Sequence, residues 1–209
     1  MLEMHTIVVE NGSGDDSASH LRAAIADKSL TPWCEVLELS RNLGFSGGNN
    51  AAISRYRDEC NRNCIDLPEM VLLLNSDTVV HGSVIQNCVE RLEDDRGVGA
   101  LSCRLLNRDG TYQPAGRRFL TPARLILSST PLPWRFPTAF AWSRLDYPCS
   151  MEHVEFEPDW IGGAFMLLRY EVLERVGLLD EDFFFYGEDV LFLKAEVSVA
   201  NPPSKFRIS

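Results

Sequence analysis

The 209-residue sequence predicts an α/β fold built on an open, mostly parallel sheet with flanking helices. Three observations lead there. Short apolar segments rich in β-branched residues alternate with helical patterns from His5 to Cys103. Met70 to Leu74 is a continuous apolar run between Pro68 and Asn75, the pattern of a strand covered on both faces. Polar clusters follow these strand segments, and open parallel sheets gather ligand groups beyond the carboxyl ends of their strands.

His5 to Val9 reads as the first buried strand, and Glu10 to Asp16 is a cluster of turn-formers. Asp16 or Ser17 is expected to cap the next helix, whose apolar face would be Leu21, Ala24 and Ile25. Trp33 to Leu39 is the second strand. The stretch from Asn42 to Asn50 is glycine-rich; its glycines permit a close backbone turn or, on the competing reading, simply a tight entry to the helix that Ala51, Ala52, Ile53 and Tyr56 continue. It carries neither the Gly-Lys-Ser/Thr ending of a phosphate loop nor a dinucleotide fingerprint.

Val84 to Leu92 fits a crossover helix after the central strand Met70–Leu74, and Gly97 to Cys103 another buried strand. Asn107-Arg108-Asp109-Gly110 is a turn that opens a hairpin into Thr111 to Phe119. Proline and aromatic residues dominate from Thr121 to Asp159, as in a binding loop or lid. Trp160 to Arg169 returns to strand character, Glu171 to Val176 is a short helix, and Gly177 stops it. Leu178 to Glu181 then leads into the acidic run FFFYGED.

A hydrophobic fraction of 45% excludes general disorder and is enough for one substantial core. Lys and Arg total 20 against 30 Asp and Glu, and a formal charge of −10 speaks against nucleic acid as the partner. The six cysteines are scattered without the spacing of a structural metal site, so they read as packing or surface thiols. Neither a secretory signal nor an apolar run of roughly 20 residues is visible, which points to the cytoplasm, peripheral to the inner face of the membrane through partners.

Carboxylates at the ends of buried elements are poorly explained by packing, because desolvating them is costly. Asp77 is the candidate ligand for Mg²⁺ or Mn²⁺, with diphosphate oxygens and water completing a hard oxygen shell and Asn75 orienting it. The competing reading is that Asn75 and Asp77 cap the next turn or helix. Glu188 and Asp189 could supply a base for an acceptor hydroxyl, or an acidic helix cap. Gly162-Gly163 would let a ligand approach the backbone, with Trp160 or Phe165 stacking on a sugar, or would simply relieve crowding. Arg117 and Arg118 are candidates for phosphate or acceptor contact. No histidine has nucleophile or ligand spacing, and no serine-hydrolase elbow is present.

Taken in order, VVENGSGDDS, LSRNLGFSGGNNAAI, VLLLNSDTVV, DGTYQPAGRRF and WIGGAFMLLRYEVLERVGLLDEDFFFYGED resemble the inverting glycosyltransferase family 2, particularly its rhamnosyltransferase-like members. The resemblance implies a GT-A fold over residues 1–191, an inserted hairpin and acceptor-side loop at 107–159, and an atypical tail at 192–209. It also implies a nucleotide-diphosphate sugar donor (UDP- or dTDP-linked) and a glycan or lipid-linked acceptor. By the same resemblance Glu10 and Asn11 hold the nucleoside, Gly47 to Asn50 form the donor-side loop, and Asn75 to Asp77 hold metal and diphosphate. Trp160 to Gly163 then lie beneath the acceptor sugar, and Glu188-Asp189 supplies the base, with Asp189 preferred. The family's usual first strand, and an aspartate where Leu191 stands, have no counterpart in this sequence. Those departures lead to two expectations: a homodimer replacing lost packing, and a catalytically impaired sugar-nucleotide-binding or interaction remnant as the alternative to an active enzyme.

Overall fold

The computed structural model of the chain describes residues 3–140, 146–147, 155–182, 192 and 205–208. The expectations for Glu188, Asp189 and Leu191 fall outside the described residues. The described residues belong to two compact units, one formed by 3–68 with 178–182 and one by the remainder.

In the first unit β1 (Thr6–Glu10) pairs in parallel with β2 (Cys34–Glu38), Thr6 beside Cys34 and Glu10 beside Glu38. The connection is α1 (Ser17–Asp27), which supplies the crossover that parallel strands require. Asp16 occupies its N-cap position without a side-chain cap bond; the Asp15 carboxylate instead accepts the Ser17 N–H at 2.9 Å. Ala18 and Ile25 are the buried residues of α1, while Ala24 is exposed. The apolar face thus begins with Ala18, one turn earlier than the Leu21–Ala24–Ile25 stripe predicts, as a spacing of seven residues allows.

The glycine-rich stretch follows the helix-entry reading and corrects the donor-side loop that the resemblance implies at Gly47 to Asn50. It is helical from Gly44, the first residue of α2 (Gly44–Asn63), so Gly47 and Asn50 lie within its first two turns. The Asn42 carboxamide oxygen accepts the Gly44 N–H at 2.8 Å and so satisfies a donor that the helix itself leaves open. The glycines serve close packing here. A Cβ at Gly48 would lie 3.2 Å from Asn11 Nδ2, and one at Gly47 would lie 2.6 Å from Leu43 Cβ.

The second unit runs β3 (Met70–Leu74), α3 (Val84–Asp94), β4 (Val98–Ser102), β5 (Leu105–Leu106), β6 (Tyr112–Gln113) and β7 (Gly116–Arg117). It continues with α4 (Pro122–Ser128), α5 (Leu132–Arg135), β8 (Trp160–Ile161), β9 (Phe165–Arg169), α6 (Tyr170–Val176) and β10 (Lys205–Ile208). The main sheet has the order β10-β4-β9-β3. Among the described residues Met70–Leu74 is thus an edge strand, mostly half-buried with Leu74 41% exposed. This corrects the expectation of a central strand covered on both faces, a place that β9 takes. β9 is antiparallel to both β3 and β4, and β10 is parallel to β4, so three strands share one direction and β9 opposes them. β5 and β6 form the hairpin expected around Asn107 to Gly110. Gly177, with φ of 96°, ends α6 as its sequence position predicts.

Cys88 and Leu92 of α3 pack on Val98 and Leu101 of β4 and on Phe165 and Leu167 of β9. Burial pushes the Cys88 thiol up to about 12, so it behaves as an inert hydrophobe at neutral pH. All five residues of β9 are buried, Arg169 included. The Arg169 guanidinium donates to the carbonyls of Leu92, Val98 (2.9 Å) and Asp95 (3.2 Å), gathering the end of α3 and the start of β4 onto the sheet. Desolvation lowers its pKa, yet a guanidinium stays charged in proteins. Arg169→Leu would leave those carbonyls without their shared charged donor. It is expected to destabilise the protein by about 3 kcal/mol, read as a shift in urea midpoint with an unchanged slope.

Candidate functional site

In the first unit the candidate residues gather at the exit of β1. Glu10, the last residue of the strand, is buried, and its Oε1 accepts the Ser13 N–H at 2.7 Å. Hydrogen bonds from the Ser13 side chain and backbone hold its carboxyl below the usual range, outweighing the opposing effect of burial. Between them Gly12 adopts φ of 68°, and a Cβ there would fall 2.2 Å from the Arg41 carbonyl carbon. Only glycine fits, because the loop after β1 lies directly on the chain leaving β2.

Asn11 fastens that loop to the start of α2. Its Oδ1 accepts the Leu43 N–H at 3.0 Å, while Nδ2 donates to Gly44 O at 2.9 Å and Asn42 Oδ1 at 3.2 Å. Asn50 is buried on α2 and works the same way over a separation of 129 residues. Its Nδ2 donates to Leu179 O (2.8 Å) and Glu181 Oε1 (2.9 Å), and its Oδ1 accepts the Leu179 N–H at 3.0 Å. Both carboxamides are occupied by the protein itself. Asn11 thereby fixes the start of α2, and Asn50 anchors the segment that leads, in sequence, to Glu188-Asp189.

The second unit holds the other candidates. Beyond β3, Asn75 O accepts the Thr78 N–H at 3.1 Å, closing a turn with Ser76 and Asp77 at its tip. Asn75 donates its own N–H to Ala164 O at 3.0 Å, and the Thr78 hydroxyl donates to the same carbonyl at 3.4 Å. The Asp77 turn is thereby pinned to the Gly162-Gly163-Ala164 bend before β9. Asp77 is exposed, and among the described residues its carboxylate has no hydrogen-bond or ion-pair partner. The capping reading loses its support, since α3 begins after Ser83 and no side chain caps it. A Cβ at Gly162 would meet nothing nearer than Ala115 O at 3.8 Å, so crowding does not explain that glycine.

The arginines and aromatics of this unit are placed differently from expectation. β7 pairs with β8, Arg117 beside Trp160. Arg117 Nε donates to Asp146 Oδ1 at 2.9 Å with its guanidinium 5.7 Å from the Trp160 ring centre, and Arg118 lies 4.0 Å over the Tyr147 ring. These cations fasten the long segment back onto the unit, and Arg117 already occupies a face of Trp160. Phe165 is a core residue at 1% exposure, which excludes it from stacking on a sugar. No pattern in the sequence links these arginines to Asp146 and Tyr147 nearly 30 residues away, nor Asn75 to Ala164.

Gly12→Ala is expected to cost about 3 kcal/mol or more, because strained φ and a backbone clash coincide. Asn50→Ala should cost about 2 kcal/mol, through the unsatisfied Leu179 amide it leaves, and speed cleavage at Glu181 by a Glu-specific protease. Glu10 has a folded pKa below its ordinary value of 4.5. Its stabilisation is therefore fully present above that pH and is lost as pH falls through the folded value. The stability gap between wild type and Glu10→Gln, followed by urea denaturation from neutral to acid pH, should close over that window.

Residues 2–151 match the sequence family described as Glycosyl transferase family 2. The chain is 26% identical to the low-salt glycan biosynthesis hexosyltransferase Agl10 of Haloferax volcanii, over 92% of this chain and 61% of that protein. It is 23% identical to an N-acetylglucosaminyl-diphospho-decaprenol L-rhamnosyltransferase of Mycobacterium tuberculosis, over 88% and 58%. It thus spans about six-tenths of the length of these relatives. The fold is similar to that of mannosyltransferase PcManGT from Pyrobaculum calidifontis, solved with GDP-Man and Mn²⁺ (TM-score 0.56, 17% identity, 98% of this chain and 47% of that one). It is also similar to GalNAc-T7 solved with UDP, GalNAc and Mn²⁺ (TM-score 0.60, 12% identity, 98% and 35%). With its mixed, open α/β sheet and its ordered motifs, the chain belongs to glycosyltransferase family 2 and is rhamnosyltransferase-like.

Proposed function

We propose that this chain carries the donor-binding and transfer machinery of an inverting glycosyltransferase, moving a sugar from a UDP- or dTDP-linked donor to a glycan or lipid-linked acceptor. The observation that carries the reading is the pinned turn at Asn75–Thr78, which presents Asp77 exposed and unpartnered among the described residues. An unpartnered carboxylate on a rigid turn is a hard oxygen donor suited to Mg²⁺ or Mn²⁺. Among the described residues no three His, Cys, Asp or Glu side chains converge. A cation held by Asp77 would therefore draw its other ligands from the diphosphate and water. Bound there, it would supply neutralisation of charge on the departing nucleotide diphosphate.

The chain's residues divide the remaining work. The loop from Glu10 to Ser13 is held rigid by its glycine and carboxylate and offers backbone groups to the nucleoside. Asn11 and Asn50 act as positioning residues for α2 and for the segment at Leu179. Asp189, preferred over Glu188, accepts the proton of the acceptor hydroxyl as that oxygen bonds to the anomeric carbon and the bond to diphosphate breaks. One displacement from the face opposite the leaving group inverts the anomeric centre. Support for the donor class comes from the relatives, named as a hexosyltransferase and a rhamnosyltransferase, and from neighbours solved with nucleotide sugars or nucleotides and Mn²⁺. No described helix is long and apolar enough to cross a membrane. The proposed setting is the cytoplasmic side of a membrane bearing the acceptor.

Calorimetric titration with UDP- and dTDP-sugars should give binding that requires Mg²⁺ or Mn²⁺ and weakens at least about tenfold in Asp77→Asn. Asp189→Asn should retain donor affinity while product formation drops by roughly a hundredfold or more. Donor binding that ignores both the metal and Asp77 would overturn the assignment. Metal-dependent binding by the wild type without product would restrict the chain to sugar-nucleotide binding.

A further inference from the structure

The outer edge of β3 has no pairing partner among the described residues. Its inner edge is fixed by two bonds just beyond the strand. Tyr170 N–H donates to Glu69 O at 2.9 Å, and Asn75 N–H donates to Ala164 O at 3.0 Å. Hydrogen-bonded pairs alternate along an antiparallel ladder, so Glu69, Val71, Leu73 and Asn75 turn their backbone groups toward β9. Met70, Leu72 and Leu74 therefore turn theirs the other way. No hydrogen bond from any described residue reaches them.

The sequence does nothing to protect that edge. MVLLL carries no charge and no proline, and its pairing with β9 runs without a bulge. Such devices guard most natural edges, because an open ladder recruits another strand. Most side chains of β3 already have places. Met70 and Leu72 pack against the core of α3, β4 and β9, and Leu73, on the opposite face, is buried. What stays open is a row of backbone donors and acceptors, and such a row binds an extended chain.

Symmetry and charge select a second copy of this chain. A two-fold axis at Leu72 sets Leu72 against Leu72 and Met70 against Leu74, so every outward N–H meets an outward carbonyl. No other two-fold register pairs these three residues among themselves. Glu69 is the one charged residue from Glu69 to Asn75, and this register sets it opposite Asn75 of the other copy. No acid therefore faces an acid along the paired segment, in a chain of formal charge −10. Leu74, the exposed residue of the strand, gains Met70 of the other copy as its cross-strand neighbour.

We propose that the chain dimerises through β3, edge to edge, in the antiparallel register centred on Leu72. The inference depends on neither donor nor metal. It gives the homodimer expected from the sequence a defined surface.

Amide hydrogen exchange of the full chain, with sedimentation equilibrium on the same samples, tests it. The average mass should rise from one chain toward two between about 1 and 100 µM. Over that range the amides of Met70, Leu72 and Leu74 should gain about tenfold protection or more, and those of Val71 and Leu73, already bonded to β9, should gain less. Leu74→Pro deletes an outward N–H that the single chain does not use, and Leu74→Lys adds a charge to the edge. Each should raise the dimer dissociation constant about tenfold or more. A chain that stays monomeric over this range would overturn the proposal. So would a dimer that leaves the three outward amides unprotected, or one whose affinity survives Leu74→Pro. Protection that does not vary with concentration would overturn it too, assigning the edge to another segment of the same chain.

Discussion

The antiparallel register of β9 against β3 is the constraint from which the second unit takes its form. Leu74 stands opposite Phe165, so the ladder continues one step past the strands through Asn75 N–H to Ala164 O. That step fixes the turn bearing Asp77 and the Gly162–Ala164 bend against each other. A slip of one residue would turn every β9 side chain to the other face, taking Phe165 and Leu167 out of the core they form with α3 and β4. At the far end of the same strand Arg169 opposes Met70 and draws in the carbonyls of α3 and β4. One buried strand therefore sets both the core and the rigidity of the carboxylate-bearing turn.

The first unit reaches comparable rigidity by other means. Its described residues hold one two-stranded sheet, so hydrogen-bonded side chains take over work that a wider sheet would do. Asn11 satisfies orphan groups at the start of α2, and Asn50 closes a buried three-bond clamp on Leu179 and Glu181. Buried carboxamides are costly unless fully paired, and fully paired ones specify a single arrangement. Asn42 and Asn50 of the glycine-asparagine stretch thus act on the geometry of this unit. Glu10 fits the same logic, since an ionised carboxylate held by its own loop keeps that loop in one shape.

Local pattern carried much of the fold. The apolar runs at Thr6–Glu10, Met70–Leu74 and Val98–Ser102, the hairpin at Asn107–Gly110 and the stop at Gly177 were all legible, because each depends on neighbours within a few residues. Asp77 was singled out as a carboxylate just beyond an apolar run. The structure leaves it exposed on its turn, so its lack of a partner among the described residues, and not a desolvation cost, keeps it a candidate. At Gly44–Asn50 the turn and helix-entry readings could not be told apart, since glycines chosen for close approach to Asn11 and Leu43 look like glycines chosen for a turn. The placement of β9 between β3 and β4, the Asn50 clamp and the ion pairs of Arg117 and Arg124 depend on partners 29 to 129 residues distant. Short-range periodicity carries no information about such partners. Ala24 was misassigned to the apolar face of α1 because alanine at that position satisfies helical spacing whether or not anything covers it.

Paramagnetic broadening offers the sharpest single test of a cation at the pinned turn. With MnCl₂ and UDP added to isotopically labelled protein, amide resonances of Asn75 to Thr78 should broaden first, with Gly162 to Ala164 following at higher occupancy. The effect should vanish in Asp77→Asn while the remainder of the spectrum is preserved. Broadening centred elsewhere, or unchanged by that substitution, would contradict the reading of Asp77 as the carboxylate that holds the metal.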